Sequence, residues 1–356
     1  MPSLKEIKGR INSISSTLAI TSAMKMVAAA KLQKAQMAIQ NMLPYERRLY
    51  SMLVDLMGAM NISAAASEDG SVRGSGSAER GFDQSGDRLS LSNRHDLAGM
   101  DGAYSLMAQR EVRKVAIVAF ASNSSLCGAF NSNVIREATA VINEYRASGL
   151  GDADITVYSV GRKMAEAMKK LGFPSPADFT KMSDSPSYDA ASALAQELFD
   201  GFVSGRFDKV ELVYNHYKST SSQPTTRQIY LPLSLADATA DIQVGKITDS
   251  ASEPYTDKVA EPVVRQNSPT TETPDLIVEP SKEELIATLL PKVVRLRVFT
   301  TLLDSTAAEH AARTVAMQLA TDNGNDLLQE LTLEYNKGRQ QKITSEILDI
   351  VGGSLQ

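Results

Sequence analysis

The 356-residue chain has no tryptophan, a single cysteine and three histidines. A lone Cys127 can form neither an intrachain disulfide nor a redox dithiol, which fits a reducing compartment. His95, His216 and His310 lie far apart, and no Cys/His spacing suggests a zinc site, so no metal is expected. No long apolar run is free of charge, so no transmembrane helix is written into the chain and any membrane contact is indirect. The opening MPSLKEIKGRINSISS also lacks the apolar stretch of a secretory signal. What remains, 43% hydrophobic and 22% charged, suits one or two globular domains.

The signatures of nucleotide chemistry are missing as well. The turn SNSSLCGAFNSN (residues 122–133) holds one glycine, Gly128, and has neither a three-glycine pyrophosphate fingerprint nor the spacing of a P-loop. Gly245 and Lys246 form the one Gly-Lys pair, and Ala240 stands where a P-loop needs glycine. No nucleophile elbow lies between a strand and a helix. Cys127 reads as a buried thiol rather than a nucleophile. No catalytic residue and no cofactor are expected.

Charge is unevenly spread. Residues 1–60 hold eight Lys/Arg against three Asp/Glu, a balance of +5 that leaves −10 for the rest of a chain whose net charge is −5. A basic arm suggests nucleic acid, but the first 44 residues contain no aromatic ring for base stacking and the acidic remainder repels a polyanion. Nucleic acid is not an expected partner.

What the two ends do have is helical periodicity. Leu4, Ile7, Ile11, Ile14 and Leu18 step by three and four, a heptad seam. After a shift of phase the steps recur at Ile20, Met24 and Val27, then at Leu49, Leu53, Leu56 and Met60, with Pro44 the only breaker. This predicts one helix of roughly 80 to 90 Å, bent near Pro44. At the other end Ser281 caps an acidic first turn. Leu285, Leu289 and Val293 follow, then Ala308, Ala312, Val315 and Leu319, then Leu328, Leu331 and Tyr335, and last Ile343, Ile347 and Ile350. Pro291 is expected to kink or restart this helix. Two long terminal helices are natural partners, antiparallel if a compact middle domain joins them.

The middle reads differently. RKVAIVAFA, DITVYSVG, FDKVELVYNHY and RQIYLPL are strand-like, and NSNVIREATAVINEYRASG, RKMAEAMKKLG and YDAASALAQELFDGFVSG are helical. The order predicts an α/β sandwich on a largely parallel sheet. Five parts result: an N-terminal coiled-coil helix (1–61), a flexible insert (62–110), a central α/β domain (111–235), an extended acidic linker with five prolines (236–280) and a C-terminal coiled-coil helix (281–356). The heptads alone permit a non-enzymatic coiled-coil scaffold equally well, but a pure scaffold would not need a central α/β domain.

Three separated segments narrow the choice. IKGRINSISSTLAITSAMKMVAAAKLQKAQ (7–36) resembles the N-terminal signature of the gamma subunits of F-type ATP synthases. EHAARTVAMQLATDNGNDLLQELTLEYNKGRQQKITSEILDIV (309–351) is similar to that family's C-terminal helix, and SLCGAFN (125–131) to its central glycine turn. Ala19 replaces a frequent Lys, Gly338 stands where Ala is usual, and a single Cys excludes the paired-cysteine switch of the chloroplast type.

The resemblance implies a long antiparallel coiled coil of the terminal helices plus a Rossmann-like central domain. It implies a non-catalytic rotor, one copy per complex, turning inside a hexamer of alternating alpha and beta subunits and touching an epsilon subunit and the c-ring of the membrane sector. Met24, Lys25, Arg339, Gln340 and Thr344 are then expected to face the catalytic subunits, Lys25 and Arg339 meeting acidic loops. The signature starts close to Met1 and leaves no room for a transit peptide. The expected location is the cytoplasmic face of a bacterial inner membrane.

Overall fold

The computed structural model describes residues 3–59, 106, 110–233, 279 and 281–354. The predicted inserts 62–110 and 236–280 lie largely outside the described residues. Leu106 and Arg110, read from sequence as insert, belong to the domain: Leu106 is fully buried, and the Arg110 guanidinium lies over the Phe202 ring and donates to the Phe202 carbonyl at 3.1 Å.

Helix α1 spans Leu4–Ala59 and the last helix, α6, spans Lys282–Ser354. Both open with a Ser-x-x-Glu cap. The Glu6 amide donates to Ser3 Oγ at 3.2 Å and the Glu284 amide to Ser281 Oγ at 3.1 Å, satisfying end groups that would otherwise lack a partner. At 1.5 Å per residue the two are about 84 and 110 Å long. Neither proline interrupts them. Pro44 is exposed on α1, away from the seam. The assigned helix runs through Pro291, where burial of Leu289, Leu290, Val293 and Val294 offsets a lost backbone bond costing about 3 kcal/mol.

The helices pair antiparallel along one seam. As the α1 position rises from Leu4 to Leu18, its α6 neighbour falls from Gly338 to Gly324, an equal interval. Thr21 meets Thr321, Lys25 meets Gln318, and Glu46 pairs with Arg297. The covered positions of α1 run without interruption through Leu4, Ile7, Ile11, Ile14, Leu18, Thr21, Lys25, Ala28, Leu32 and Ala35, and on to Leu49, Leu53 and Leu56. The expected phase shift does not occur. Ile20 and Val27 are 60% and 58% exposed, because polar Thr21 and Lys25 keep the seam's register while apolar side chains sit outside it.

Between the helices lies the α/β domain. Its elements are β1 (Val115–Phe120), α2 (Phe130–Ala147), a 3₁₀ turn (Asp152–Asp154), β2 (Ile155–Val160), α3 (Arg162–Lys170), a short α4 (Thr180–Asp184), α5 (Tyr188–Val203), β3 (Lys209–Asn215) and β4 (Thr225–Leu231). The sheet order is β2-β1-β3-β4, with β1 parallel to β2 and β3, and β4 antiparallel on the edge. Every residue of β1 is buried, as expected for a strand covered on both faces. Val115, Ile117 and Ala119 face α2 and α3. Ala116, Val118 and Phe120 face α5 and the base of the coiled coil, where Leu49, Leu53, Leu56, Ile286 and Leu290 complete one core. The shaft is therefore a layer of the domain, not an appendage.

A buried ionic cluster ties the edge strand down. Glu211, fully buried on β3, accepts from Arg227, Lys209 and Tyr145. Burial favours its neutral form, yet these donors together hold the carboxyl below its ordinary range.

Gly161 has φ +96°, and an added Cβ would lie 2.0 Å from the Ala121 carbonyl oxygen. Gly161→Ala is expected to destabilise the domain by about 3 kcal/mol. Gly9→Ala, exposed with open space around it, is expected to stabilise α1 by about 0.5 to 1 kcal/mol. Thermal melts followed by circular dichroism check both signs.

Candidate functional site

An open α/β sheet usually binds its ligand at the carboxyl ends of the strands, where the connections reverse direction. Here that place lies beside β1, β3 and the following turn, and it is full. Asn131 donates to Ser122 Oγ at 2.8 Å, to Ser124 O at 3.2 Å and to Cys127 Sγ at 3.2 Å, and its Oδ1 accepts from the Ser122 amide. Cys127 and Phe130 pack against Ala308 and Ala312 of α6. A Cβ on Gly128, whose φ is +58°, would come to 3.9 Å from the Ala316 methyl. The shaft itself packs into this end of the sheet.

Polar clamps fix the domain to the shaft around this contact. Asp304 accepts from the Tyr217 amide at 2.9 Å and meets His216 Nδ1 at 2.6 Å, while Gln36 donates to Tyr217 Oη at 2.6 Å. Arg313 bridges Glu309 at 2.6 Å and Ser124 Oγ at 2.7 Å. Tyr230 Oη donates to the Val294 carbonyl from a fully buried position. No spacing in the sequence marks Gln36, Asp304 or Arg313, because each acts across elements far apart in the chain.

Beyond the clamps, the covered positions among the described residues lie along the α1–α6 seam. Over residues 319–338 of α6 the covered positions are Thr321, Gly324, Leu328, Leu331, Tyr335 and Gly338, all facing α1. The glycine at 338 fits its place: an added Cβ would come to 3.1 Å from Leu4 Cδ2. Leu319 is outside the seam, contrary to expectation, and His310, Thr314 and Met317 lie on it. Ile343, Ile347 and Ile350 do not continue the seam either. They are exposed, Ile350 to 72%, because among the described residues α1, which lies opposite Gly338 at Leu4, does not reach them. Residues 339–354 run on as a single helix of about 24 Å.

The residues expected to meet partners fall into two groups. Met24 and Lys25 are half-buried on the two-helix part, Lys25 spanning the seam to Gln318 Oε1 at 2.5 Å. Arg339, Gln340 and Thr344 are exposed on the single helix. Thr344 Oγ1 donates to the Gln340 carbonyl at 2.9 Å, and among the described residues neither Arg339 nor the Gln340 side chain has a partner. The two groups are far apart along the shaft, so they form no single pocket. Among the described residues no cluster of metal-ligating side chains occurs.

A two-helix shaft seated on a small α/β domain defines a stalk subunit. The ATP synthase family profile matches residues 3–355. The chain is 47% identical to the ATP synthase gamma chain of Phocaeicola vulgatus and 45% identical to that of Bacteroides thetaiotaomicron, in both cases over 100% of each chain. A solved chain of the Euglena gracilis mitochondrial ATP synthase (OSCP/F1/c-ring, rotational state 3) shares the fold. Its TM-score is 0.51 at 20% identity, covering 98% of this chain and 92% of that one. The protein belongs to the ATP synthase gamma chain family.

His310 lies on the seam with a buried Nδ1 that has no hydrogen-bond partner among the described residues. Burial, with help from Arg313 and Lys31, lowers its pKa to about 4. The unfolded chain protonates near 6.5, so it binds the extra proton first, and stability is lost as pH falls from about 6.5 towards 4. Glu309 opposes this: burial raises its carboxyl, though Arg313 pulls it back, so its share is lost as pH rises above the ordinary carboxylate range. The drop in melting temperature between about pH 7 and pH 5 is expected to shrink in His310→Met. An equal drop in both proteins would contradict the assignment.

Proposed function

We propose that this gamma chain is the turning shaft of its ATP synthase. On this reading it holds no nucleotide and catalyses nothing itself. The observation that carries the reading is the shaft, which among the described residues is covered along the α1–α6 seam and runs on past it as one helix. Apolar side chains at Ile343, Ile347, Leu348 and Ile350 suit a sleeve supplied by other subunits.

The mechanism follows from asymmetry. One helix outruns the other, so partners arranged in a ring around the axis meet different surfaces at any moment. A shaft can shift each partner's conformational equilibrium only by its unequal affinity for that partner's states. Rotation then carries the same inequality from one catalytic site to the next. Two helices packed over many heptads resist twist better than one, and the clamps at Asp304 and Arg313 pass torque from the α/β domain into the coil.

The partners proposed are a hexamer of alpha and beta subunits around the shaft, and an epsilon subunit and the c-ring at the domain end. Met24, Lys25, Arg339, Gln340 and Thr344 face the catalytic subunits, with Lys25 and Arg339 meeting acidic loops. The segments 1–61 and 281–356 form the shaft, 111–235 together with Leu106 and Arg110 the domain, and the rest of 62–110 and 236–280 connect them. No described helix is long and apolar enough to cross a membrane. The proposed location is peripheral, on the cytoplasmic face of the bacterial inner membrane, with proton flow as the drive.

Arg339→Ala combined with Gln340→Ala is expected to lower proton-driven ATP synthesis in membrane vesicles about ten-fold, the order expected for one lost charge-assisted contact. The melting curve of the isolated chain should not change, since both side chains are exposed. Undiminished synthesis would refute the assignment of these two residues.

A further inference from the structure

Lys25 stands at a seam position, between Thr21 and Ala28, where a coiled coil ordinarily places an apolar side chain. A lysine there must find acceptors for its ammonium, which has three donors and no acceptor. One is provided across the seam. Gln318 Oε1 accepts from Lys25 Nζ at 2.5 Å, and Gln318 Nε2 donates to both Asp322 oxygens, at 2.8 and 2.9 Å. The amide is oriented from both ends. Turned over, it would set a donor against the ammonium and an acceptor against the carboxylate. Asp322 thus keeps the Gln318 oxygen aimed at Lys25 and polarises it.

The chemistry of the acceptor sets the strength of this seat. A neutral amide oxygen holds an ammonium more weakly than a carboxylate does. The one full negative charge in the relay, on Asp322, is kept a residue away from the cation. An incoming carboxylate can therefore outcompete the seat, whereas a glutamate at 318 could not be displaced so readily.

We propose that Gln318, aimed by Asp322, is a positioning residue that holds the Lys25 ammonium in reserve and sets how readily it passes to an acidic group of a partner subunit. The handover rests on the reading of Lys25 as partner-facing, but the seat does not. Gln318 itself contacts the partner in neither state. The exchange involves no covalent step, only the replacement of one acceptor by another.

Two measurements test the proposal separately. In the isolated full-length chain, acylation of Lys25 by an amine-reactive ester, read by mass spectrometry, is expected to rise about five-fold in Gln318→Leu and to fall in Gln318→Glu. A residue that merely supported packing would not move the two variants in opposite directions. Equal acylation in all three proteins overturns the seat. In the assembled complex in vesicles, Gln318→Glu is expected to lower proton-driven synthesis several-fold, and this effect should vanish in a Lys25→Met background. Should the Glu variant fail to assemble, the same cycle is run with Gln318→Leu. A loss that persists without Lys25 overturns the handover. It would remove Lys25 from the partner-facing residues and leave membership of the gamma chain family untouched.

Discussion

The rest of the molecule depends on one register between two helices. Leu4 against Gly338 and Leu18 against Gly324 lock α1 to α6 at points two heptads apart, and the same alignment places Glu46 beside Arg297 at the base. A slip of one heptad would separate all of these pairs. It would also move the base of the coil under the sheet, because Leu49, Leu53 and Leu56 share a core with β1 and β3. Shaft and domain are therefore set by the same interaction, and neither can be repacked alone.

That dependence explains what the α/β domain is for. Its topology is one that elsewhere binds nucleotides, but its crevice is filled by Cys127, Phe130 and the small residues Ala308 and Ala312 of the shaft. Alanine at these positions lets α6 approach the domain closely. Glycine at 128 then turns the chain beside Ala316. This end of the sheet grips a helix, and the clamps from His216, Tyr217 and Ser124 surround the grip.

Much of this was legible in the residues. Buried strands appeared as continuous apolar runs, and the capped, heptad-patterned ends appeared as long helices. The seam departs from the apolar periodicity at Ile20 and Val27, because periodicity counts apolar residues and here the seam passes through Thr21 and Lys25 while the apolar side chains face outward. The seam ends before Ile343, Ile347 and Ile350 for a different reason. Their spacing is consistent with a coiled coil, but whether a partner helix reaches them is decided by where α1 begins. The residues of the seat, Gln318 and Asp322, carry an ordinary surface signature and gain their meaning only opposite Lys25.

By itself the sequence determined the element types, the antiparallel pairing of the ends and the family, because these follow from local periodicity and from motifs contiguous in the chain. Only the tertiary structure decided which polar residues lie in the seam, how far α6 outruns α1, and that the domain's crevice is filled from within. Those are properties of residues hundreds of positions apart. They are set by packing register and by the length of the partner helix, which no local pattern encodes.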